Sequence, residues 1–194
     1  MTLEAIRKAI EVDPENSAFT KKGWDPIYTA HKNAKILIIG QAPGIRAQES
    51  RIPWNDPSGD NLRAWIDIDR NTFYDETKVA LVPMDFYFPG SKERGDLPPR
   101  KEFAEKWHPL ILENMPGIEL TLLIGAYAQE RYLGEKRKKN LTETVRAFKE
   151  YGPEHIPLVH PSPRNNIWQK KNPWFKKNLL PSLQATVRSI IKSN

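Results

Sequence analysis

Four short runs of uninterrupted apolar residues constrain this chain more than any other feature: KILIIG ending at Gly40, VALVPM at 79–84, LTLLIG ending at Gly125 and IPLVH ending at His160. A strand with one face in water alternates apolar and polar side chains, whereas a strand covered on both faces has no reason to alternate. Between the runs the apolar spacing becomes helical. Leu62, Trp65 and Ile66 follow Ser58 as a candidate cap, Phe103, Trp107, Leu110 and Ile111 follow the start signal Pro98-Pro99, and Leu141, Val145 and Phe148 repeat the pattern. Buried strands alternating with helices predict an α/β fold, a three-layer α/β/α sandwich around a mainly parallel four-stranded sheet with right-handed crossovers. Residues 1–30 are expected as a helical preamble with Ile6 and Ile10 facing inward. Asn172-Pro173 reads as the start of a last helix, which Pro181 breaks or restarts.

A chain of 194 residues with no repeat and no low-complexity linker suits one domain, 1–194. No apolar run has membrane-spanning length, and MTLEAIRKAI mixes charges where a signal peptide would be uninterrupted. The expectation is a cytoplasmic monomer with no membrane partner. The absence of cysteine excludes disulfides, thiolate nucleophiles and every cysteine-held zinc or iron–sulfur site.

Charge is unevenly distributed. Residues 1–100 hold 14 Lys/Arg against 15 Asp/Glu, and residues 101–194 hold 16 against 9, so the second half carries the whole positive excess. One-sided cationic charge favours a polyanion, because clustered cations steer phosphates and release counterions on binding. The run EKRKKN at 135–140, by itself, reads as a solvated face.

In an open parallel sheet, ligands bind beyond the carboxyl ends of the strands. The conspicuous motifs fall there: GQAPG at 40–44, PMDFYFPG at 83–90, GAYA at 125–128 and HPSPRN at 160–165. GQAPG is neither a phosphate-binding G-x-x-x-x-G-K-[ST] loop nor a dinucleotide-binding G-x-G-x-x-G loop, so neither chemistry has local support. Taken singly, GQAPG is an ordinary strand-to-helix turn and His160 a strand-end histidine.

Order and spacing add more. A G-x-x-P-G loop after the first strand, PWNDPSG about ten residues later and H-P-S-P after the last strand together resemble the uracil-DNA glycosylase superfamily, from about Lys35 to about Trp174. GDLPPRKEFAEKWHPLILENMPGIELTLLIGAYAQERYL resembles the mid-region of its bacterial iron–sulfur branch, although a chain without cysteine cannot hold that cluster through cysteine. The resemblance implies a metal-free, cofactor-free enzyme acting on DNA, in which a damaged base, typically uracil, is flipped from the duplex and replaced by water at the sugar carbon.

The resemblance also implies roles. His160 matches the motif histidine that donates to the anion developing on the base, and Gly40 and Ala42 lie in the loop that surrounds the base. Where several branches carry a carboxylate in that loop, this chain has Gln41, which can orient water or hydrogen-bond a base but cannot remove a proton. Carboxylate assistance is therefore expected from Asp56, with Glu49 and Asp85 as alternatives. Trp54 either stacks on the flipped base or packs in the core. Uracil-selective relatives place an asparagine after the second strand, where this chain has Pro83, leaving Asp85 as a possible reader of the base. Ser162, Arg164 and Asn165 match the loop that enters the minor groove, and Lys170 and Lys171 are candidate phosphate contacts. A member of the same superfamily that only binds damaged DNA or a free base is the competing expectation.

Overall fold

The computed structural model describes residues 1–93 and 95–193. The chain opens with helix α1 (Leu3–Val12), capped by the Thr2 hydroxyl, and a short helix α2 (Ser17–Thr20). Ile6 and Ile10 of α1 are fully buried. The preamble is helical only in part: an extended segment follows, in which Thr29 and Leu81 exchange both backbone hydrogen bonds in antiparallel fashion. This segment covers one edge of the sheet.

The central sheet contains β1 (Ile36–Ile39), β2 (Val79–Leu81), β5 (Leu120–Ile124) and β6 (His155–Leu158), all parallel in the order β2-β1-β5-β6. A small antiparallel hairpin, β3 (Ser91–Lys92) and β4 (Gly95–Asp96), stands apart from it. Pro157 sits inside β6, and β6 is an edge strand. That placement is the one a missing backbone donor permits, since no neighbouring strand needs its N–H.

Between β1 and β2 come α3 (Ile45–Ser50), α4 (Pro57–Ile66) and α5 (Arg70–Tyr74). The cap of α4 is Asp56 rather than Ser58. The Asp56 carboxylate accepts from the Gly59 N–H at 2.9 Å, and Pro57 occupies the first turn, where no N–H is required. Helix α6 (Phe103–Leu112) starts four residues beyond Pro99. It is followed by α7 (Gly125–Leu133), α8 (Leu141–Arg146), α9 (Asn166–Lys171), a π-helical turn (Phe175–Leu179) and α10 (Leu180–Lys192). Asn172-Pro173 thus separates α9 from the π turn, and Pro181 lies in the first turn of α10.

Strand residues alternate between two cores. Ile36, Ile38, Leu122 and Leu158 pack with Leu62, Trp65, Phe73, Phe175, Leu183 and Val187, and Leu37, Ile39 and Leu123 pack with Ile6, Phe86, Phe103, Trp107 and Ile111. Helices on both faces make three layers, and each fully buried aliphatic side chain contributes about 1.5–3 kcal/mol. The same layering holds the carboxyl ends of the strands open on one side.

Candidate active site

A cavity of about 450 Å³ lies beyond the ends of β1, β2 and β6. Backbone hydrogen bonds from Met84 N to Gly40 O (2.8 Å) and from Asp85 N to Gln41 O (3.1 Å) join the loops after β1 and β2. His108, a buried residue of α6, fixes the second loop from behind: its Nε2–H donates to Pro83 O at 2.9 Å, and its Nδ1 accepts from the Tyr132 hydroxyl at 2.6 Å. Burial pulls this imidazole down to about 4, so it is neutral at ordinary pH.

Trp54 forms a wall. It occupies the left-handed region at φ 57°, and its ring lies so close to Gly40 that a Cβ there would sit 2.8 Å from the indole. Gly59 is equally constrained, since a Cβ would fall 1.8 Å from Trp54 O. Tyr74 donates to Pro53 O at 2.9 Å and Arg63 to Trp54 O at 3.5 Å, which braces the turn. One part of the indole packs on the core, and its ring stands 5.8 Å from the His160 ring, tilted by 33°. Trp54 thus packs on the core with one part of its ring and lines the cavity with another.

His160 follows β6 at the floor of the loop HPSPRN. Ser162 N–H donates to His160 Nδ1 at 3.2 Å, so the neutral ring carries its proton on Nε2. Burial holds the imidazole below its usual range, opposed by the charges of Asp56 and Asp96. Among the described residues, Nε2 has no protein partner. Two asparagines hold the backbone around it: Asn165 donates to His160 O at 2.7 Å and Asn61 of α4 to Pro161 O at 2.8 Å. Ser162 also accepts from Arg164 N–H at 3.3 Å, and the exposed Arg164 side chain stands at the cavity rim.

Residues 26–184 match the family model of the uracil DNA glycosylase superfamily. The chain belongs to that superfamily. In fold it is similar to a solution NMR structure of a candidate uracil DNA glycosylase from Methanosarcina acetivorans, with a TM-score of 0.50 and 16% identity over 84% of this chain and 94% of that one. At that identity the likeness speaks for the fold, the three-layer sandwich with the parallel sheet described above.

Within this member of the superfamily, the structure gathers Gly40, Gln41, Ala42, Trp54, Asp56, His160, Ser162 and Arg164 around one cavity. Others are placed elsewhere. Asp85 is 1% exposed and fully engaged: it accepts from Tyr87 N–H (3.1 Å) and Arg100 N–H (3.1 Å) and pairs with the Arg100 guanidinium at 2.7 and 2.8 Å. It cannot also read a base. Glu49 is exposed on α3 and does not line the cavity. The Asn165 amide points inward onto the His160 backbone instead of outward to a groove, because the turn at 163–165 leaves that carbonyl without a ladder partner. GAYA opens α7 outside the cavity lining. Lys170 and Lys171 are exposed in the last turn of α9, beyond Arg164.

Gln41 is also redirected, since its amide nitrogen donates to Leu97 O at 3.2 Å, just past the β3–β4 hairpin. That hairpin delivers a carboxylate that the sequence pattern had not singled out, Asp96, to the cavity lining. Its only signal in the sequence is the GD of GDLPPR, a turn-like dipeptide with no strand or helix periodicity around it. Among the described residues no cluster of His, Asp and Glu has the arrangement a metal ion would require.

Proposed function

We propose that this chain is a DNA glycosylase that hydrolyses the N-glycosidic bond of a base flipped from DNA, uracil or another deaminated base. The observation that carries the reading is the state of His160. Its Nδ1 is occupied by the Ser162 N–H, it is held neutral by burial, and its Nε2–H is left for a group inside the cavity. Cleavage leaves negative charge on the departing base, and a preorganised donor stabilises that charge without reorganisation at the moment of reaction. Trp54 offers a flat face for a base, and Arg164 at the rim offers charge to a phosphate or a filler for the vacated stack. Extrusion costs a few kcal/mol, least at a mismatch.

The anchored amide of Gln41 favours a second reading, in which the protein binds a damaged site without cleaving it. Duplex and single-stranded oligonucleotides carrying uracil, hypoxanthine, xanthine or a thymine mispair separate the two. Catalysis predicts that a substoichiometric amount of protein releases many equivalents of at least one base. Tight binding without release from any of them would support the second reading and overturn the first.

A further inference from the structure

Hydrolysis at a sugar carbon needs a group that orients water and accepts its proton. The loop after β1 offers Gln41, an amide that cannot accept that proton and whose nitrogen is tied to Leu97 O. Two carboxylates nevertheless converge from other elements. A Cβ placed on Gly44 would lie 3.9 Å from Asp96 Oδ2 and 4.0 Å from Asp56 Oδ2, so the two oxygens flank the space that this glycine leaves empty. Both negative charges also reach the His160 ring.

The two are not equivalent. Asp56 Oδ1 caps α4 through Gly59 N–H at 2.9 Å, which fixes its orientation and commits half of its carboxylate to the helix end. Asp96, among the described residues, has no hydrogen-bond or ion-pair partner on its carboxylate, and its hairpin is held from two sides. Gln41 donates to Leu97 O at 3.2 Å, and Leu97 N–H donates to Gly90 O at 2.8 Å. Gly90 and Gly95 supply the positive φ values, 108° and 91°, with which the hairpin leaves and re-enters the site.

We propose that Asp96 is the catalytic carboxylate, with Gln41 as the strap that positions its hairpin, an inference that rests on the hydrolytic reading above. The water oxygen bonds to the sugar C1′ as the C1′–N bond breaks, and the bonding pair leaves on the base, where His160 Nε2–H stabilises it. The water proton passes to Asp96 and is returned to the base anion, so the products are the free base and an abasic sugar. Asp56, fixed at the helix cap, faces the cationic sugar as a stationary charge.

Single-turnover base release by wild type, Asp96→Asn and Asp96→Ala on the best substrate of the panel tests this. Loss of a general base predicts a fall of about 100-fold or more. The melting midpoint should stay at the wild-type value, because the side chain is exposed. Added formate should restore part of the rate to Asp96→Ala and none to Asp96→Asn, whose side chain fills the place. If both variants release base at the wild-type rate, Asp96 is not the catalytic carboxylate although the glycosylase reading stands. A slowed Asp96→Ala that melts early and ignores formate would give the hairpin a purely structural role and equally overturn the assignment. If wild type releases no base at all, the hydrolytic reading fails and takes this proposal with it.

Discussion

The loops after β2 and after β6 leave the same end of the sheet, yet they treat their polar groups in opposite ways. In the first, the Asp85 carboxylate makes four hydrogen bonds within the protein, and both nitrogens of His108 behind it are engaged. In the second, His160 has one nitrogen engaged and the other unpartnered among the described residues. Both histidines are neutral through burial. Burial and a lowered pKa therefore do not tell a structural imidazole from a candidate catalytic one. The unengaged nitrogen over a cavity does.

If this contrast is right, damage to the first loop registers as lost stability and damage to the second as lost activity. Asp85→Ala should cost about 3–5 kcal/mol of unfolding free energy, because it removes a buried carboxylate that takes four hydrogen bonds and leaves the Arg100 guanidinium only Asn16 Oδ1 and Glu15 O. Chemical denaturation measures it, and a loss under about 1 kcal/mol would erase the distinction. His160→Ala should leave the denaturation midpoint almost unchanged and slow single-turnover base release by about 100- to 1,000-fold. An undiminished rate would make His160 as structural as His108.

Acid separates the two loops further. The unfolded His108 titrates near 6.5 and the folded one near 4, so between these values the unfolded chain binds a proton that the folded chain refuses. Stability is complete above about 6.5, falls as pH is lowered, and for this group levels off below about 4, with a total loss of about 3 kcal/mol. Unfolding free energies of His108→Gln across the same range should show a shallower acid slope. The lowered pKa of His160 acts with the same sign.

The smallest effect is at the rim. Lys170 and Arg164 are exposed, so Lys170→Ala or Arg164→Ala should weaken DNA binding modestly and flatten the dependence of log K on log salt by about one unit for each phosphate no longer neutralised. Titrations at several salt concentrations decide this. A wild-type slope near zero would remove DNA as the ligand of this face.

The sheet and the direction of its open end were legible in the residue order alone. Short uninterrupted apolar runs suit strands covered on both faces, and the helical spacing between them supplies the cover. The positions of GQAPG and HPSP at strand ends likewise placed Gln41 and His160 on loops that meet, because strand ends in a parallel sheet lie side by side. Trp54 and Asp56 were tied to the site only by the resemblance of PWNDPSG to a segment of the superfamily. Which polar groups those loops leave unengaged emerges only from the folded chain. Asp85, in the loop after β2, and Asp96, in the two-residue strand β4, lie only eleven residues apart. One is neutralised by Arg100, which the chain brings back only after passing through the hairpin, and the other is carried to the cavity by that same hairpin. Local periodicity reports which face of an element is apolar. It carries no record of where a hydrogen-bond partner fifteen residues away will stand, and that distance separates a buried anchor from a carboxylate over the cavity.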